Sequence, residues 1–294
     1  MEAMNEIYHL VATDSQGRLY PEEKLAAVGR TGEIIKPLSA SEWIPLPPGA
    51  SLMSMPGRAA VGLDKKGSLQ LLSAPGPNLY PVAALLPLGY ARSYLPAAVV
   101  GAGAKPLPLF GYTAVSFYRN QLYAAAVKVE ADNAAWEPKH YNTPDLSRRV
   151  KAALAKYPRN RILRQLAHCS LTYNCFTAQN VFYRRWEAGV PVSPFCNARC
   201  VGCISEQISG CCPSPQRRIS FVPSAAEIVE VALAHLRFAP GGIVSFGQGC
   251  EGEPSLQGDL LVEAVAAIRA RTEAGVININ TNGSRPATIR ALAR

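Results

Sequence analysis

Cys196-Asn-Ala-Arg-Cys200-Val-Gly-Cys203 is the stretch on which the reading of this chain turns. A cubane 4Fe-4S cluster needs a ligand for each of its irons, and thiolates are the protein's usual supply. Three thiolates at this spacing let one short loop wrap such a cluster and leave one iron open. Structural zinc more often takes C-x2-C pairs from two separate knuckles. Zinc would also want a fourth ligand, and Cys211, Cys212 or His235 is able to supply one. A chance grouping of core thiols is the third reading.

The residues around this loop read as strands alternating with helices. Gly189–Ser193 is the expected first strand, although Pro191 and Pro194 make it a poor ladder donor. Ser224-Ala-Ala-Glu227 is a capping-box pattern, and behind it Ile228, Val229, Val231, Leu233 and Leu236 recur at helical spacing. Ile243–Phe246 reads as a second strand, Asp259–Arg271 as an amphipathic helix, and Val276–Asn280 as a third strand. Ser284 and Pro286 open a last helix. The pattern is three βα units.

After the second strand comes Phe246-Gly-Gln-Gly-Cys-Glu-Gly-Glu-Pro254. Gly247, Gly249 and Gly252 match the G-x-G-x-x-G fingerprint of dinucleotide sites, with Glu273 further on. Electrostatics argues against that reading, because Glu251 and Glu253 would face a pyrophosphate at close range. The ribose-binding carboxylate should also end the next strand, where Ile279 and Asn280 stand.

Together the cysteine loop, the βα series and Gly252-Glu253-Pro254 resemble the radical S-adenosylmethionine (SAM) superfamily. The resemblance covers roughly residues 186 to 294. It implies an α/β fold in which these three βα units are the first half of a partial TIM-like (β/α)6 barrel. It implies that Cys196, Cys200 and Cys203 hold a 4Fe-4S cluster whose open iron is chelated by SAM, and that an electron from the cluster releases a 5′-deoxyadenosyl radical. The protein's part would be to position the cofactor. The Gly252–Pro254 segment matches the family's G-E-P-like motif, whose carboxylate and backbone hold the SAM ammonium. Glu251 takes the place of the usual first glycine, so either glutamate is a candidate for that contact. Thr281-Asn-Gly283 resembles the family's T-N-G turn, and Asn-Gly is also an ordinary turn signal. Val201 stands where the family usually has an aromatic residue near the adenine. A protein reductant such as ferredoxin or flavodoxin is implied; the substrate is not.

A complete barrel of this type has six βα units, so the sequence predicts an incomplete one. Truncation of a longer chain is the favoured expectation, and completion by a second polypeptide is the alternative. An uncovered third strand would be an edge that proteins normally protect.

The 294 residues suffice for more than one core. Residues 1–135 read as a β-rich domain, Pro-rich and punctuated by turn signals at Asp14–Gly17, Asp64–Gly67 and Arg119-Asn120. Ala26–Gly29 before Thr31–Ile35 is echoed by Ala59–Gly62 before Gly67–Leu71, which suggests two related hairpins. Gly101–Lys105 lacks the ending of a phosphate loop and reads as a flexible linker. Residues 136–188 read as a basic helical connector carrying Arg148, Arg149, Lys151, Lys156, Arg159, Arg161, Arg164, Arg184 and Arg185, and residues 189–294 as the partial barrel. The net charge of +9 raises an RNA or other anionic partner, which a solvated helix face explains equally. A zinc- or nucleic-acid-binding protein without enzymatic activity is the rival class.

Val82–Val100 is the nearest approach to a membrane span and is broken by Pro87, Arg92 and Pro96. Met1–Glu6 lacks the basic-then-apolar pattern of a signal peptide. The eight cysteines read as reduced thiols and metal ligands, some of them available for auxiliary clusters, in a cytoplasmic setting.

Overall fold

Paired Asp-x-x-Gly turns organise the first of the two units into which the chain divides, residues 1–138 and 139–294. The computed structural model describes residues 7–72, 79–129, 134–206 and 210–293. Met1–Glu6, where no leader pattern was read, lies outside the described residues.

In the first unit, strand His9–Thr13 turns at Asp14–Gly17 into the long strand Leu19–Thr31. The Asp14 Oδ1 accepts from the N–H groups of Gln16 and Arg18 at 2.8 and 3.0 Å. The Asp64 Oδ1 repeats this with Lys66 and Ser68 at 2.8 and 2.9 Å, between strands Arg58–Leu63 and Leu69–Leu71. Gly17 and Gly67 take the left-handed φ that each turn needs, 81° and 79°. A third hairpin joins Thr113–Tyr118 to Gln121–Ala124 through Arg119 and Asn120, both at positive φ, as a two-residue turn of this hand requires. The result is one twelve-stranded, antiparallel sheet with a separate pair, Tyr90–Arg92 with Ala126–Lys128.

The echoed Ala-Ala-Val-Gly segments both lie in hairpin strands, but their turns differ. Leu19–Thr31 reverses at Gly32 into Ile34–Pro37, whereas Arg58–Leu63 reverses through the Asp64 turn. Gly101–Lys105 does not join two domains. It is a loop inside the first unit, held by Gly101 N–H to the Gly57 carbonyl at 2.9 Å and by Arg58 to the Lys105 carbonyl at 3.3 Å.

The second unit holds a parallel sheet of three strands. Helices α1 (Leu146–Lys156), α2 (Arg161–Thr172) and α3 (Phe176–Tyr183) precede strand β1 (Glu187–Gly189). Then come α4 (Ala225–Phe238), β2 (Ile243–Phe246), α5 (Gly258–Arg269), β3 (Val276–Ile279) and α6 (Pro286–Leu292). The strands run parallel in the order β1-β2-β3, with Ala188, Val244 and Ile277 in register. Ser224 and Glu227 form the capping box of α4.

Of the expected connector, residues 136–188, all but the first three lie in this same unit. Val150, Ile162 and Leu166 from α1 and α2 share one core with Val190, Val192, Ile228, Val244 and Leu261. Their charged faces look outward while the apolar faces are buried, and each fully buried aliphatic side chain contributes about 1.5–3 kcal/mol. Arg161, though partly exposed, is paired: it forks onto Glu227 at 2.9 and 2.7 Å, tying the start of α2 to the start of α4.

The first strand differs from the expected Gly189–Ser193. It begins at Glu187, residue pairing ends at Gly189, and one further bond runs from Val190 N–H to the Ser245 carbonyl at 2.9 Å. Pro191 has no N–H, and the N–H groups of Val192 and Ser193 donate to the Glu251 carboxylate instead of to a neighbouring strand. Among the described residues no helix is long and apolar enough to cross a membrane.

Candidate functional site

Because β1, β2 and β3 are parallel, the loops that leave them emerge at one edge of the sheet, the end where open α/β sheets generally bind ligands. The loop after β1 carries the three cysteines, that after β2 the Gly247–Pro254 segment, and that after β3 Thr281-Asn-Gly283.

Side-chain carboxylates tie these loops together. Glu251 is 4% exposed; its Oε2 accepts from Val192 and Ser193 N–H at 2.7 and 3.0 Å, and its Oε1 from Gly247 N–H at 2.6 Å. It therefore stitches the loop after β1 to the loop after β2. Burial pushes its carboxyl up to about 7, against the pull of these backbone donors and of Gln248. Glu253 stitches the next pair of loops. Its Oε2 accepts from Asn282 N–H at 2.8 Å, and its Oε1 from Ser255 N–H at 3.0 Å and from the Thr281 hydroxyl. Burial opposes its ionisation, but the Asn282, Ser255 and Thr281 donors prevail and hold the carboxyl below its ordinary range. Pro254 follows at the first position of a short 3-10 turn, Pro254–Gln257, for which Glu253 is the N-cap.

The backbone completes the joint. Gly252 N–H donates to the Ser193 carbonyl and Glu253 N–H to the Phe195 carbonyl, both at 2.7 Å. A Cβ on Gly252 would lie 2.0 Å from the Phe195 oxygen and 3.2 Å from the Cys196 nitrogen, so only glycine admits this crossing. Gly247, at φ 81°, makes the matching approach to the loop after β3: a Cβ there would sit 1.9 Å from the Asn280 oxygen.

The cysteine loop is thus held at its stem. Cys196 lies beside Gly252, Cys200 is exposed, and a turn closes from Cys203 N–H to the Cys200 carbonyl at 3.2 Å. The three sulfurs share one loop but do not converge: among the described residues no group of three or more His, Cys, Asp or Glu side chains is placed to hold a metal ion. The chemistry of the donor set nevertheless fits a thiolate-held group. Burial would raise the Cys203 thiol, yet it is held below its usual range by Ser205, by the backbone N–H groups of Ser205 and Glu206, and by Arg218.

Several of these partners escaped the sequence reading. Arg218 reaches the Pro194 carbonyl and Ser205 hydroxyl at 3.3 Å, pairs with Glu206 at 2.6 Å and points a nitrogen at the Cys203 sulfur at 3.9 Å. Asn197, inside the cysteine motif, bonds Ser284 at 2.8 Å and Asn282 at 2.9 Å, joining the loop after β1 to that after β3. No spacing rule singles out such residues; only the C-x3-C-x2-C frame around Asn197 marked it at all. Cys169 and Cys250 sit against one another elsewhere in the core, and Cys211 and Cys212 are neighbours at 3.2 Å. Comparison of the chain with protein-family models, curated proteins and solved structures finds no match.

Proposed function

We propose that this chain holds a 4Fe-4S cluster through Cys196, Cys200 and Cys203, binds SAM beside it, and cleaves SAM reductively in the cytoplasm. Electrons would come from a ferredoxin or flavodoxin. The single observation that supports this reading is the crossing at Gly252. It lays the cysteine loop against the glutamate loop, the two sequence features that the radical SAM superfamily brings together. In this reading β1, β2 and β3 are the first strands of a partial TIM-like (β/α)6 barrel, and a fourth would pair on the free edge of β3.

The chemistry supplied by such a cluster, when bound, is one-electron reduction of the SAM sulfonium. The chain's own residues bind and orient. A carboxylate offers about four acceptor positions. The contacts to Val192, Ser193, Gly247 and Gln248 fill those of Glu251, which therefore acts as a positioning residue. On Glu253, itself buried, Oε2 accepts only from Asn282 N–H among the described residues, and its second position is where the SAM ammonium would be received. Arg218 and Asn197 fix the two ends of the cysteine loop.

Anaerobic reconstitution tests the reading. The wild-type protein should take up roughly four irons per chain with acid-labile sulfide, and Cys200→Ala should lose them, while Cys211→Ala and Cys212→Ala keep them. Stoichiometric zinc in a colourless protein would establish the rival class. With iron intact, Glu253→Gln should weaken SAM about ten- to a hundredfold, the worth of one charge-assisted hydrogen bond. Unchanged SAM affinity in Glu253→Gln would remove that residue from the site.

A further inference from the structure

A second concavity, separate from the cysteine loop, lies among the helices of the same unit. α1 packs on α2 and α3, and α2 packs on α4. Side chains of α1, α3 and α4 line a groove of about 390 Å³, and Ala152 and Ala153 of α1 and Ala234 of α4 are the small ones among them. Val181, Phe182 and Val231 give it an apolar lining. That volume is within the range of small-molecule sites, about 300–1,000 Å³.

The rim is cationic. Arg148 and Arg149 share the Asp145 carboxylate, at 3.6 and 2.6 Å. Lys156 and Arg184 also line the groove, and neither has an ion-pair partner among the described residues. The Lys156 ammonium lies over the Tyr157 ring and the Arg184 guanidinium over that of Phe238, contacts that fix the side chains without neutralising them. The one acidic lining residue, Glu230, is engaged by the Asn160 amide at 2.9 Å.

A second observation is independent of the charges. His235 lines the groove and is 1% exposed. Its Nε2 donates to the Trp186 carbonyl at 2.7 Å, so the other ring nitrogen is an acceptor, and it has no partner. Buried side-chain polar atoms normally have one. His235 is in the last turn of α4 and Trp186 immediately precedes β1, so this end of the groove lies where the strands begin, opposite the loops that carry the cysteines.

We propose that this groove binds a small organic anion with an apolar body, a phosphate monoester or similar dianion whose charged head sits between Lys156 and Arg184. Its body rests on Ala152, Ala234 and Val231. The apolar lining explains why a bare inorganic anion does not suffice, and the two unpaired cations explain why a neutral molecule of the same shape does not.

1-Naphthyl phosphate is a suitable probe, titrated calorimetrically into the full chain beside 1-naphthol and inorganic phosphate. The expected result is one site, at least about tenfold tighter for naphthyl phosphate than for either control. Lys156→Glu and Arg184→Glu, both at exposed side chains, should each weaken it by about tenfold or more, and Ala234→Trp should block it by filling the groove. Circular dichroism melts establish that each variant folds; should Ala234→Trp not fold, the two charge reversals decide. Equal binding of naphthol, or naphthyl phosphate binding that survives both charge reversals, overturns the proposal. So does an RNA oligonucleotide that binds through Lys156 and Arg184 while naphthyl phosphate binds no better than inorganic phosphate, since the rim would then be a nucleic-acid surface.

Discussion

The acidic side chains that hold the hairpin turns of one unit and the strand-end loops of the other differ in reach. In the antiparallel unit Asp14 and Asp64 bond backbone N–H groups two and four residues ahead, closing the turn in which they stand. In the parallel unit the bonds of Glu251 to Val192 and Ser193 span 59 and 58 residues, that of Glu253 to Asn282 spans 29, and that of Glu227 to Arg161 spans 66. Topology explains the difference. Antiparallel neighbours are joined by a turn that a local side chain can fix, whereas parallel neighbours are joined by a long crossover that leaves the strand-end loops with no covalent reason to meet. Something must hold those loops together, and in this chain buried carboxylates do. A rigid scaffold with loops so held is where binding chemistry is usually found.

The comparison breaks most visibly at Gly252. Gly252→Ala forces a Cβ onto the Phe195 carbonyl, backbone against backbone, so neither side can yield by changing a rotamer. The expected cost is on the order of 4 kcal/mol, or failure to fold, measured by urea unfolding. Gly17→Ala, strained by its φ but with open space around the new methyl, should cost much less, about 1 kcal/mol. Equal losses at the two positions would mean that the loop crossing yields as readily as a surface turn.

Much of this architecture is legible in the sequence, and what is not has a physical reason. β2, β3, α4 and α5 stand within a residue or two of their expected positions because each has a strong apolar period bounded by a cap or a glycine. β1 differs from its expected span because the residues after Gly189 are extended and apolar like a strand, while the N–H groups of Val192 and Ser193 are claimed by a carboxylate far along the chain. Residues 136–188 read as a separate connector because their charges drew attention from the apolar positions Leu146, Val150, Ile162 and Leu166, which belong to the sheet's core. At the site, the cysteine and glutamate motifs could be named from sequence, but not the division of labour between Glu251 and Glu253. That depends on which donors reach each oxygen, and those donors come from other loops.

The carboxylates themselves give the next largest effect. Glu251→Ala strands the N–H groups of Val192, Ser193 and Gly247 in the interior and should cost about 3 kcal/mol. Its titration has a definite sign. With the folded value at about 7 and the ordinary one at 4.5, the folded protein keeps a proton that the unfolded chain has lost between these pH values. Its stabilising contribution is fully present below about 4.5 and is lost as pH rises through about 7, by on the order of 3 kcal/mol. Glu251→Gln should flatten that slope. A wild-type stability curve that matches the Gln variant from pH 4.5 to 7 would show that the carboxylate is as content inside as in water.

Glu227 should tilt the other way, with a somewhat smaller effect. The Arg161 side chain, acting against burial and together with the Ser224 and Arg161 backbone N–H groups, lowers its carboxyl to about 2. Its contribution is present above about 4.5 and is lost as pH falls toward 2. Glu227→Gln should cost about 2 kcal/mol at neutral pH, discounted because the arginine is partly exposed, and almost nothing near pH 2. A Gln variant equally destabilised at both pH values would locate the effect in the helix cap rather than in the ion pair.

The smallest effect is expected at Asp64, and it sharpens the contrast between local and distant staples. Asp64→Asn retains the Oδ1 acceptor, so the bonds from Lys66 and Ser68 survive, and what is lost is the charge and the exposed bond from the Gln70 amide to Oδ2. The turn is exposed, its strands are joined covalently through it, and water is at hand for any donor released. The urea midpoint of Asp64→Asn should therefore be indistinguishable from wild type, and Asp64→Ala should lower it slightly. Glu251→Ala, by contrast, strands backbone N–H groups that have nowhere else to turn, so it should lower the midpoint clearly. If Asp64→Ala proves as damaging as Glu251→Ala, span and burial are not what separates the two units, and the carboxylates of the sheet edge are ordinary turn residues that happen to reach further.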